Sequence, residues 1–217
     1  MNPNRLIPGL VLLTACLVFT SCYNKSPEKL PKFKRKFRTQ IASFEAQKEK
    51  TDKRVAEGVV DLTSIKAALD SAKNVDKEFQ KVYGNWERVN KQVNQLNKEY
   101  ENLRDDANNL FSAMEAQTAG LNNVKSREEL SAALNKTRAD YEATLSNTEA
   151  AIQKLKGLHA EAVDIVKALE VAVALGQIAQ IQEGLKSIES RVDDIMEDLN
   201  ITIAESKDLY ENRIGGV

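Results

Sequence analysis

Proline is missing after position 31 of this 217-residue chain, occurring only as Pro3, Pro8, Pro27 and Pro31, so nothing in the long remainder compels a helix to break. Cysteine occurs only as Cys16 and Cys22, which excludes a disulfide framework or a cysteine-based metal site in the rest of the chain. Histidine is represented once, by His159, so a metal there would need carboxylates from other helices. The strings G-x-S-x-G, H-E-x-x-H, G-x-x-x-x-G-K-S/T and G-x-G-x-x-G are all missing, and the nucleophile, zincin and nucleotide readings lose their sequence basis. The expectation is therefore a protein without catalytic residues, metal or cofactor.

Hydrophobic residues make up 42% and charged residues 29% of the chain, a globular composition of one-domain size. The formal charge of -1 hides an asymmetry. Lys25 to Arg38 holds seven Lys/Arg against Glu28 alone, whereas Thr39 onward carries 23 basic and 31 acidic residues. A basic segment thus precedes an acidic body. Nucleic acid is not an expected partner, because the body would repel phosphate.

Arg5 is followed by the uncharged, Leu- and Val-rich stretch Leu6 to Ser21, ending in small residues before Cys22, in the order of an export signal. A spanning helix wants about 20 apolar residues, and Pro8 with Gly9 weakens the start of this one, so cleavage is preferred to a retained membrane anchor. The segment resembles a bacterial lipoprotein signal, in which an apolar-small-small-Cys box is cut before the cysteine and its thiol takes diacylglycerol. Two boxes compete, Leu13-Thr14-Ala15-Cys16 and Phe19-Thr20-Ser21-Cys22. Cys16 fits the usual pattern more closely. Cys22 is preferred because cutting at Cys16 leaves Leu17-Val18-Phe19 on the mature end, while Tyr23-Asn24-Lys25-Ser26-Pro27 is a polar tether. Ordinary cleavage without lipid is the alternative. The expected organisation is a signal peptide over 1–21, a lipidated basic tether over 22–38 and a helical bundle over 39–214. Acyl chains such as palmitate, each contributing about 0.8 kcal/mol per buried CH₂, would make the attachment effectively permanent. The resemblance, with no acidic residue directly after Cys22, implies the periplasmic face of the outer membrane. Lys29, Lys32, Lys34, Arg35, Lys36 and Arg38, interleaved with Phe33 and Phe37, suit anionic headgroups at about 1 kcal/mol per basic residue. A solvated linker merging into the first helix is the equal alternative.

In the body, apolar residues recur at alternating steps of three and four. One seam runs Phe79, Val82, Trp86, Val89, Val93, Leu96, Tyr100, Leu103, Ala107, Leu110, Met114; a second runs from Tyr141 to Val173 through Leu145, Ile152, His159 and Val166; a third runs from Ile178 to Leu199. An earlier seam, Val55, Val59, Leu62, Ile65, Leu69, Ala72, is out of phase with the first, which predicts a turn near Ala72 to Asp76 with Asn74 and Asp76 as stop and cap. Gly120, Leu121-Asn122-Asn123 and Ser126-Arg127-Glu128-Glu129 read as a glycine stop, a turn and an S-x-x-E capping box. Gly176 marks a third junction. The fold class is all-α, an antiparallel bundle of about four coiled-coil-like helices of about 35 to 45 residues, each about 50 to 70 Å long. A two-helix hairpin of twice that length is the alternative, and its uncovered stripe would demand a partner.

Leu110-Phe111, Thr137-Arg138-x-x-Tyr141, Asp164-Ile165-Val166-x-Ala168-Leu169 and Ile201-x-Ile203-Ala204-Glu205 are similar to a wholly helical bacterial family known only as a domain of unknown function, over roughly residues 40 to 210. The resemblance implies no activity. His159 and Trp86, both in seams, are expected in the core. Glu189, Asp193, Asp194, Glu197 and Asp198 could hold a divalent cation, although a solvated acidic face is the simpler expectation. The apolar run Ala162 to Ile181 belongs in the bundle centre or at an oligomer contact, since helix apolar on several sides is buried on several sides. These readings converge on a membrane-anchored structural or interaction protein of the bacterial envelope, with a protein partner or self-association. A binding module taking a lipid or other apolar ligand near Ala162 to Ile181 is the alternative.

Overall fold

The computed structural model describes residues 29–71, 74–175 and 182–214. They form α1 (Lys29–Ser71), α2 (Val75–Ala119), α3 (Val124–Leu175) and α4 (Gln182–Asp208), the last running into a π-helical segment, Leu209–Ile214. Among the described residues there is no strand.

Side-chain pairs fix the topology. Gln40 meets Glu99 at 2.8 Å and Gln47 meets Gln92 at 2.9 Å, so α1 and α2 are antiparallel. Tyr100 donates to the Leu145 carbonyl and Lys156 to Asn97, which runs α3 against α2. Tyr141 meets Ser206 and Lys154 meets Asp198, which turns α4 back along α3. Lys207 and Glu45, 2.6 Å apart, close α4 onto α1. The result is an up-down-up-down bundle in which the start of α1, the α2–α3 turn and the end of α4 share one end, here called proximal.

The seams fill its interior. Every position of the α2 seam from Phe79 to Leu110 is buried, and Met114 packs on its edge. Tyr141, Leu145, Thr148, Ile152, Leu155, Ala162, Val166 and Leu169 are buried on α3, and Ile188, Val192, Ile195 and Leu199 on α4. The apolar stripes are thus covered within one chain by four helices, and the long-hairpin alternative is not the fold. Full burial of each large aliphatic side chain contributes about 1.5–3 kcal/mol.

Helix ends depart from expectation in three places. Helix α1 begins at Lys29 and buries Phe37 completely, so the second half of the expected tether, up to Arg38, is helix rather than flexible chain. Pro31 is tolerated because it lies in the first turn, where its missing N–H has no intrahelical acceptor anyway. Asn123, not Ser126, caps α3: its Oδ1 accepts from Ser126 N at 3.0 Å and its carbonyl from Arg127 N at 3.0 Å. Asparagine caps as well as serine, and starting three residues earlier gains most of a turn. Glu129 is left to pair with Lys125. Gly120 ends α2 with φ -77° and ψ -2°, without left-handed backbone, its N–H bonded to the Gln117 carbonyl at 3.2 Å. Asn74, expected as the stop, is instead the cap of α2, accepting from Lys77 N at 3.1 Å, while Asp76, expected as the cap, sits inside the first turn, where its charge suits the helix dipole. Helix lengths of 43, 45, 52 and 27 residues bracket the expected range, with α3 longer and α4 shorter. Cys16, Cys22 and Gly176 lie outside the described residues.

Candidate functional site

The interior is polar near its middle. Gln47, Lys48 and Thr51 on α1 are buried, as are Thr148 on α3 and Thr202 and Ser206 on α4. Thr148 and Thr202 share a hydrogen bond of 2.5 Å, Thr51 donates to the Gln47 carbonyl at 2.9 Å, and Lys48 Nζ lies 3.4 Å from Asp52. Tyr141 is buried closer to the proximal end: its hydroxyl lies 2.9 Å from Ser206 Oγ, and its ring packs edge-on to Phe37 and tilted to Phe111. Burial pushes the Tyr141 hydroxyl well above the ordinary tyrosine value, more than its bond to Ser206 lowers it. Such a group keeps its proton and holds helices together.

His159 is mostly buried on the α2–α3 seam, its Nε2 4.0 Å from Glu87 Oε1. Trp86 is fully buried, and its Nε1 has no hydrogen-bond partner among the described residues. Gly58 makes room for that indole. Asp193, Asp194 and Glu197 face solvent, and Asp198 pairs with Lys154 at 3.2 Å. Among the described residues no three His, Cys, Asp or Glu side chains gather as a metal site would require. No described helix is long and apolar enough to cross a membrane.

The Ala162 to Ile181 run is only partly central. Ala162, Val166 and Leu169 are buried, but Val171 and Leu175 are 60% and 65% exposed at the end of the bundle opposite Lys29. Near a helix end one stripe still faces the core while the other face meets solvent, apolar or not. Residues 176–181 lie outside the described region.

A cleft of about 390 Å³ opens at the proximal end, between the starts of α1 and α3, the end of α2 and the π-helical segment. Its large apolar lining residues are Leu30, Met114, Leu121, Leu130, Leu134 and Ile214, none of them fully covered. Lys34 and Arg213 stand among them; Arg213 is held by Asp208 at 2.8 Å and Glu205 at 3.6 Å. Two smaller clefts lie on the α1–α4 face, one of about 320 Å³ around Lys48 and Lys207, the other of about 130 Å³ around Arg38 and Tyr210. Sequence reasoning did not find the proximal cleft, because its walls come from four segments far apart in the chain and its residues fall outside the regular seams.

No curated protein and no solved structure matches the chain. Residues 23–212, beginning earlier than the expected 40 to 210, match the family described as Protein of unknown function (DUF2959), and the chain belongs to that family.

Proposed function

We propose that this protein is a non-enzymatic, lipid-anchored helical component of the bacterial cell envelope, modified at Cys22, that stands on the periplasmic face of the outer membrane and offers its surface to a protein partner or to copies of itself. The observation that carries this reading is the shared proximal end. An anchor before Lys29 ties down the end that also holds the α2–α3 turn and the close of α4, and the length of the bundle extends away from it. The family match, which starts at Tyr23 directly after Cys22, supports a leader ending there. Among the described residues of the Ala162 to Ile181 run, Ala162, Val166 and Leu169 fill the interior with their own side chains, which supports interaction over a ligand cavity there.

Metabolic labelling with a clickable fatty acid tests the anchor. Label is expected on the wild-type chain and on Cys16→Ala, and to be lost in Cys22→Ala. Retention of label in Cys22→Ala with loss in Cys16→Ala moves the anchor. No label on any of the three sinks the lipidated reading and leaves a secreted helical protein. Size-exclusion with light scattering distinguishes self-association from a protein partner.

A further inference from the structure

We infer that the proximal cleft receives an acyl chain of an anionic phospholipid, with Lys34 meeting its phosphate; this rests on the anchored reading above. Six large apolar side chains line the cleft and remain partly open to solvent, Leu130 at 51% exposure. The volume of about 390 Å³ lies in the range of small-molecule sites, about 300–1,000 Å³, and has room for part of one chain rather than a whole lipid. The length of the connecting segment puts that lipid within reach. Six residues separate Cys22 from Lys29, so a fully extended connection spans at most about 25 Å, and Leu30 is already in the cleft wall.

Charge selects the headgroup. Between Lys29 and Phe44 there is no acidic residue, and Lys32, Arg35, Lys36 and Arg38 are exposed on the same turns as Lys34. Lys36 reaches Asp106 at 3.7 Å and Arg38 lies over the Tyr210 ring. Lys34 makes no ion pair within 4.0 Å with a described carboxylate, in contrast to Arg213 across the cleft. A cation at the mouth of an apolar slot is the arrangement that an anionic lipid satisfies with both of its parts.

The test uses the full chain in phosphatidylcholine vesicles containing a photoactivatable probe, either phosphatidylglycerol or phosphatidylcholine with a diazirine on the acyl chain, with adducts mapped by mass spectrometry. Adducts are expected on the segments around Met114 and Leu130 with the phosphatidylglycerol probe. Lys34→Glu should lower their yield at least about fivefold, the equivalent of the ~1 kcal/mol that one basic residue gains at an anionic surface. Leu130→Glu, a surface change that leaves the core intact, should abolish them. Adducts confined to residues before Lys29 overturn the cleft while leaving the anchor standing. Equal adducts from both probes overturn the anionic assignment. Cleft adducts persisting in Cys22→Ala sustain the site even if the anchor fails. A dimer in lipid-free solution that dissociates in Leu130→Glu gives the cleft to a second copy and overturns the lipid.

Discussion

Gly58 lies against Trp86, and a Cβ placed there would stand 3.2 Å from Val89 Cγ2 and 3.3 Å from Trp86 Cε2. Both neighbours are 1% exposed and have little room to yield. Alanine normally gains about 0.8–1 kcal/mol over glycine inside a helix, but overpacking a filled core costs about 1–3 kcal/mol. Gly58→Ala is therefore expected to lower stability by about 1 kcal/mol. Gly84 and Gly157, also within helices, have nothing within 4 Å of a built Cβ, and alanine at either should raise stability by about 0.5–1 kcal/mol. Urea unfolding of the three variants checks the opposite signs; a stabilised Gly58→Ala would mean that Trp86 shifts freely. Tyr141 gives a second test. Its hydroxyl keeps its proton in the folded chain at a pH where the unfolded chain has lost it, so its contribution is intact below the ordinary value of 10.0 and declines as pH rises beyond. Tyr141→Phe should cost about 1 kcal/mol at neutral pH through the lost bond to Ser206. It should also flatten the alkaline loss of stability that sets in above about pH 10, where the unfolded tyrosine ionises and the folded one does not. An unchanged alkaline slope would show that the tyrosine ionises alike in both states.

At the scale of the helix, the caps decide where each rod begins. Asn74→Ala and Asn123→Ala should each lower stability by about 1 kcal/mol, because each removes the acceptor of an otherwise unpaired backbone N–H. Ser126→Ala should cost clearly less. A reversed order in thermal unfolding would restore Ser126 as the cap. The seams of α2, α3 and the described part of α4 were legible in the sequence because apolar residues occupy nearly every a and d position. The seam of α1 was legible only from Val55. Followed backward through Thr51, Lys48, Phe44 and Ile41 to Phe37, the steps of three and four never fail, and forward from Val55 they pass through Gly58 to Leu62 and Ile65. Thr51 and Lys48, polar residues at seam positions before Val55, hid the pattern from a search for apolar residues. Phe37, lying among lysines and arginines, read as tether for the same reason. Gln47 and Thr51 meet Gln92 on α2, and Thr148 meets Thr202 on α4, relations between helices that spacing within one segment does not carry. The cap of α3 was misread by three residues because Asn123 and Ser126 are both good acceptors and only the backbone path chooses between them.

At the scale of the whole molecule, the concentration of basic charge in the first turns of α1 bears on how an anchored bundle sits. The basic run up to Arg38 lies at the proximal end, whereas the acidic excess from Thr39 onward is spread over the rest of the four helices. An anionic membrane attracts the first and repels the second, and since both effects fade within about 8–10 Å at ordinary salt, only surfaces close to the bilayer count. The bundle is therefore expected to stand end-on. Helix α2, with 45 residues, is about 68 Å long, so its two ends would lie at very different heights. With Cys16 replaced by Ala and Cys22 blocked by the acylation proposed above, a dye can be placed on a single new thiol, either at Asn122 in the proximal turn or at Asp76 at the far end of α2. Energy transfer to an acceptor on phosphatidylglycerol headgroups should be strong from Asn122→Cys and near zero from Asp76→Cys. Charge reversal at Lys32 and Arg35 should shrink the difference, because it removes the attraction that holds the proximal end down. Equal transfer from both positions would mean that the bundle lies along the membrane and that the basic run at its proximal end does not set its orientation.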